Sequence, residues 1–222
     1  MKTIETEELI RALAKDAQPV KRLPQPVWRA LLWTLLATAS VTMFVFWFGL
    51  RADLTAKLAE PRFIAEVAAA FLTSVMAAAA AFCSGCPGRP LWERLAPLPF
   101  LAVWLFSLGE GCWREITQSA GPSGFGMDWA CSEKILLLSL LPAAIMFAMV
   151  RRGAPIAPLA TAGLGALAAT SLAAAGLRLF HTQDTSMMLI VWQFGTVIVM
   201  TAAAMTVGHF ILPWRHTKVA IR

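Results

Sequence analysis

Four cysteines, with the polar residues near them, hold most of the chemistry this chain could perform. Cys112 and Cys131 flank a segment containing Gly121, Pro122, Gly124 and Gly126, residues that mark turns and not a buried domain. Such a thiol pair can form a disulfide, bind a soft metal ion as thiolates, or change state with oxidant. His181 and Asp184 lie further along and could add a nitrogen and an oxygen ligand. A static disulfide or two inert cysteines are the structural alternatives, because thiols react only in particular microenvironments. Closing a loop of this length would contribute about 3 kcal/mol in chain-entropy terms, although only geometry decides whether the bond forms. Cys83 and Cys86 make a CSGC tetrad. That supplies two ligands where zinc sites need four, with no second pair nearby. No nucleophile elbow, phosphate loop, HExxH or kinase signature occurs, so an enzyme is not the leading reading, and no cofactor is implied.

The elements that must position these residues are set by lipid. The chain has 222 residues, 58% hydrophobic and only 14% charged, against about 25% charged in soluble domains. A membrane-crossing helix needs roughly 20 apolar residues, and six runs approach that length: Trp28 to Leu50, Phe63 to Phe82, Leu95 to Trp113, Ile135 to Val150, Pro158 to Phe180 and Met188 to Leu212. The expected fold class is all-α, a polytopic bundle of six transmembrane helices. The fourth run is short unless it begins near Cys131, which would draw Glu133 and Lys134 towards the interface. A polar, charged segment precedes the first run, unlike a cleavable signal peptide, so the first span is expected to be retained. Ala77 to Ala81 in the second run and Gly163, Gly165 and Gly176 in the fifth predict close helix contact, because small side chains let backbones approach in lipid.

Lys and Arg concentrate in alternate connecting segments. Thirteen of them (Lys2, Arg11, Lys15, Lys21, Arg22, Arg29, Arg89, Arg94, Arg151, Arg152, Arg215, Lys218, Arg222) belong to one set and six (Arg51, Lys57, Arg62, Arg114, Lys134, Arg178) to the other. The positive-inside rule then places both termini in the cytoplasm of a multi-pass inner-membrane protein, with Cys112, Cys131 and His181 outside in an oxidising compartment. The net charge of +6 follows from topology and does not call for a nucleic-acid partner. Trp28, Trp92, Trp113, Trp129 and Trp214 fall near span ends, where indoles prefer the headgroup zone. Glu66 and Glu110 sit near outer span ends and are expected to be hydrated. His209, near the inner end of the last span, is explained by a packing hydrogen bond.

Residues 1–27 form a cytoplasmic segment before the transmembrane domain of residues 28–212 and a tail of residues 213–222. Within it, Glu7 to Asp16 carries Leu9, Ile10 and Leu13 on one helical face, extended by Ile4. Thr3 or Thr6 could cap this helix, with Glu5, Glu7 and Glu8 well placed in its first turn. Pro19, Pro24 and Pro26 then prevent the helix from continuing into the membrane. Such a short amphipathic helix either lies on the anionic leaflet or places its apolar face in a groove on a soluble partner.

Taken in order, these features resemble the NrsF family of bacterial membrane anti-sigma factors. The residues that carry the likeness are LIRALAKDAQPVKRLPQP (Leu9 to Pro26), GCW (Gly111 to Trp113), Cys131 before an apolar span, RRGAP (Arg151 to Pro155) and HTQDTS (His181 to Ser186). The resemblance implies that the cytoplasmic segment sequesters an extracytoplasmic-function sigma factor through Leu9, Ile10, Leu13 and Val20. It also implies that Cys112 and Cys131, with His181, sense a metal or oxidative signal, so a soft metal ion at the outer thiols joins the lipid bilayer and the sigma factor as expected partners. Thr182 departs from the pattern, standing where the family leads one to expect a cysteine after His181. A hydroxyl forms no disulfide and is a poor soft-metal ligand. The competing classes are a membrane thiol oxidoreductase, which would bind quinone, and a small transporter, disfavoured by the scarcity of charged residues deep in the spans.

Overall fold

The computed structural model describes residues 6–16, 23–86, 88–118, 129–153, 157–182 and 186–211. Val20, Asp184, the turn residues from Gly121 to Gly126, Trp214 and the tail at 213–222 lie outside these, as does the side chain of His209.

The described chain is helical. A helix α1 (Thr6–Asp16) precedes α2 (Pro26–Phe48), the short α3 (Leu54–Lys57), α4 (Pro61–Cys83), the short α5 (Leu91–Leu95), α6 (Leu98–Gln118), α7 (Trp129–Arg151) and α8 (Pro158–Leu177). The last span runs from α9 (Ser186–Met188) through a π-helical segment, Leu189–Phe194, into α10 (Gly195–Ile211). Prolines open α2, α4 and α8, where a missing N–H is harmless and the fixed φ suits a helix start. Gly49, at φ 84°, ends α2 in a conformation that other residues rarely adopt.

Six helices are long and apolar enough to cross a membrane: Pro26–Phe48, Pro61–Cys83, Leu91–Arg114, Cys131–Arg151, Pro158–Leu177 and Leu189–Gly208. The fourth helix begins at Trp129, well before Ile135, and so takes Cys131, Glu133 and Lys134 into its first turns. The fifth stops at Leu177, and residues 178–180 form a turn instead of completing the apolar run. The face of the bundle at which α2 begins is called here the N-terminal face.

At the centre stands α8, packed against α2, α4, α7 and α10. Its Gly and Ala positions make that possible. Gly176, for instance, has no Cβ because Val41 of α2 occupies the space it would fill. Around it, α2 packs on α4 and α7, while α6 packs on α4 and on the start of the last span. The largest core cluster joins Trp33, Phe82, Ile135, Leu138 and Leu172, and a second gathers around Trp104, Leu108, Phe194 and Val197. Leu31, Leu35, Phe46 and Trp47 face outward from α2, as expected where the solvent is hydrocarbon.

Candidate functional site

Three places bring together the residues on which a function could rest. The first is α1. Every described side chain from Thr6 to Lys15 is exposed, including the apolar Leu9 (47%), Ile10 (59%) and Leu13 (64%). Glu7 and Glu8 lie in the first turn and Lys15 in the last, complementing the helix dipole. Arg11 pairs with Glu7 one turn away at 3.6 Å. The helix is thus locally stable in composition, yet its apolar stripe is uncovered.

The second place is the seam between α4 and α8, held by polar contacts at both ends and near its middle. Glu66, near the start of α4, is 2% exposed and accepts Arg178 Nη2 through Oε2 at 2.7 Å and Arg62 Nε through Oε1 at 2.9 Å. Ser74 donates to the Ala168 carbonyl at 2.7 Å. At the N-terminal face the hydroxyls of Ser84 and Thr161 are 2.6 Å apart and buried. Glu66 is therefore not hydrated as the sequence suggested. It is enclosed, and the cost of enclosing a carboxylate is met by two guanidinium partners. Glu110 is exposed, beside Arg114. A pairing clue did exist in the sequence, since Glu66 and Arg178 are opposite charges inside two predicted apolar runs at the same end of the bundle.

The third place is the face opposite the N-terminus, where the expected sensor residues fall. Arg51, 5% exposed, binds both carboxylate oxygens of Asp53, at 2.7 and 2.8 Å, and donates to the His181 carbonyl at 3.1 Å. These hydrogen bonds from Arg51 lower the Asp53 pKa to about 2. Phe63 lies beneath two guanidinium groups, 5.0 Å from Arg178 and 5.9 Å from Arg51, an arrangement that the ring quadrupole favours. The His181 ring nitrogen Nδ1 sits 3.2 Å from Lys134 Nζ, tying the loop after α8 to α7.

Neither expected sensor cysteine is in a disulfide, and the two occupy different environments. Cys131 is buried in the main core cluster, whereas Cys112 is half-buried and follows Gly111, directly under the Arg62 guanidinium. Any side chain at Gly111 would collide with that group. Cys112 rides on α6, which packs on α4, α9 and the π segment, and Cys131 on α7, which packs on α2, α8 and the π segment. His181 is on the same face, joined to the Cys131-bearing helix through Lys134. Among the described residues no group of three His, Cys, Asp or Glu side chains could hold a metal ion. Cys83 and Cys86 lie at the N-terminal face, with Arg89 Nη2 3.6 Å from Cys83 Sγ.

At the N-terminal face the structure adds a feature the sequence did not suggest. Arg29, in the first turn of α2, donates to the Met149 carbonyl near the end of α7, and its guanidinium lies 4.6 Å from the centre of the Phe82 ring of α4. A Cβ on Gly153 would meet Arg29 Nη1 and Leu23 Cδ1, each at 3.2 Å. The point where the N-terminal segment reaches the bundle is thereby fastened to α4 and α7 and to the turn after α7.

A family model described as NrsF, negative regulator of sigma F, matches residues 13–214. No curated protein and no solved structure matches the chain. The match begins at Leu13, so Leu9 and Ile10 precede it.

Proposed function

The chain belongs to the NrsF family of negative regulators of sigma F, and from that premise we propose that it sequesters an extracytoplasmic-function sigma factor at the cytoplasmic side of the inner membrane through its N-terminal segment. The observation that carries this reading is the exposed apolar stripe of α1, Leu9, Ile10 and Leu13. An amphipathic helix whose apolar side none of the described residues covers suits a hydrophobic groove on a soluble partner. Val20 extends the partner-binding set on the strength of the family pattern.

Both termini are cytoplasmic in this reading, on the positive-inside count, so Cys112, Cys131 and His181 face outward. Release follows when a metal or oxidative signal changes the state of the thiols. Cys112, the less buried of the two, meets the signal first. Its neighbour Gly111 supports the Arg62 guanidinium, so a bulkier or charged sulfur there disturbs the Arg62–Glu66–Arg178 clasp. The clasp and the Ser84–Thr161 contact lie at opposite ends of the α4–α8 seam, which supplies a continuous path between the two faces.

The test is capture of purified sigma factors of this class by the full-length protein in lipid nanodiscs, against a Leu9→Asp, Leu13→Asp double variant. Specific capture abolished by the variant is expected. Equal capture by both proteins would remove α1 from the mechanism.

A further inference from the structure

The last span differs from the other five in its backbone. Leu189–Phe194 is π-helical, a ladder with one residue more than an α-helix accommodates, of a kind that is rare and recurs at functional sites. Three contacts fix it. Gln193, 2% exposed, donates Nε2 to the Ala174 carbonyl of α8 at 2.7 Å. Phe194 meets Trp104 of α6 edge to face, with ring centroids 5.4 Å apart. Just beyond the segment, the Thr196 hydroxyl lies 2.8 Å from that of Ser132 on α7.

These contacts reach α6, α7 and α8 from one short stretch of chain. The Ala174 carbonyl that receives Gln193 also accepts the backbone N–H of Arg178 at 3.4 Å, and Arg178 holds Glu66. The π segment therefore touches the last turn of α8 at a carbonyl one helical turn before the clasp residue Arg178. Burying a carboxamide in an apolar bundle is costly without a partner, which makes the Gln193 bond the feature that ties the π register to α8.

We infer that the π segment is a two-register switch, in which a change in the packing of α6 or α7 converts it between π and α windings and Gln193 passes the change to the Ala174–Arg178 end of α8. Moving one residue out of the ladder rotates α9 by about 100° and shifts it by about 1.5 Å relative to α10. Such a step is discrete, as a bistable element requires, and α10 delivers it along α8 towards the N-terminal face. The inference rests on the regulatory reading only for its output, the affinity for sigma factor.

The test uses the full-length chain in lipid nanodiscs with two variants: deletion of Val191, which removes the extra residue, and Gln193→Leu, which removes the bond to Ala174 at nearly constant volume. Amide hydrogen exchange over residues 186–200 and the rate of Cys112 alkylation by N-ethylmaleimide are read in each. At least one variant is expected to change both readouts by about fivefold or more, and to shift sigma affinity within the roughly 5- to 150-fold range typical of coupled sites. Exchange and alkylation matching the unmodified protein in both variants would overturn the switch. If the deletion does not fold, Gln193→Leu decides alone. Absence of sigma binding by the unmodified protein would defeat the regulatory reading, while exchange and alkylation would still decide the switch.

Discussion

Helices α1 and α8 both carry apolar residues that must be covered, and they solve the problem in opposite ways. In α8, thirteen of 20 residues are buried, small side chains face four neighbouring helices, and polar groups are paired inside the bundle. In α1 every described side chain from Thr6 to Lys15 is exposed, and Leu9, Ile10 and Leu13 stand uncovered. The difference separates what holds the molecule together from what it offers to others. Changes along α4 and α8 should therefore alter stability, and changes on α1 should alter partner affinity while leaving stability intact.

The strongest way to break this division is Glu66→Leu, which leaves Arg178 buried without its carboxylate. Removing one partner of a buried pair costs about 3–5 kcal/mol, to be read as loss of stability to unfolding in mixed micelles. A cost near zero would mean that water reaches this end of the seam. Next in size, Leu13→Ala should weaken sigma binding by about 1–2 kcal/mol, measured by titration in nanodiscs, with unfolding unchanged within about 0.5 kcal/mol. A matching loss of stability would place α1 against the bundle and dissolve the contrast. Smaller still, Ser74→Ala removes a single interhelical bond at the middle of the seam and should cost about 0.6–1 kcal/mol in the same unfolding assay.

The smallest effect concerns acid. Asp53 has its pKa lowered to about 2 by the hydrogen bonds from Arg51, so its ionised form favours the folded protein. That stabilisation is fully present above the ordinary carboxylate range and is lost as pH falls through the folded value near 2. A thermal-stability profile from pH 5 to pH 2 should fall more steeply for the parent protein than for Asp53→Asn, and parallel profiles would sever the Arg51–Asp53 contact from stability.

Hydropathy located all six spans because length and apolarity are enough for a helix to cross lipid, and α1 was legible because its stripe repeats at helical spacing. For the fourth span, of the two starts that the sequence left open, Ile135 and near Cys131, the structure has the earlier; Glu133 and Lys134 interrupt the apolar run although they sit at the helix end. Glu66 was misread for a related reason. Distance from a span end indicates depth in the membrane, whereas hydration depends on which neighbouring helix faces the group. The two thiols looked equivalent in sequence, flanking one loop, but Cys131 is buried in the main core cluster and Cys112 only half-buried. The Gln193 bond and the π winding left no periodic trace, because one extra residue in a uniformly apolar run changes no hydropathy pattern.

The sequence by itself determined the six helices long and apolar enough to cross a membrane and the amphipathic helix that precedes them, since these follow from local composition and period. Tertiary structure alone decided the rest. It made α8 the central helix, paired Glu66 with Arg178 across 112 positions, and set Arg62 over Gly111. In lipid every span is apolar on all sides, so apolarity cannot say which faces meet. Steric fit between small residues and the few buried polar partners chooses the neighbours.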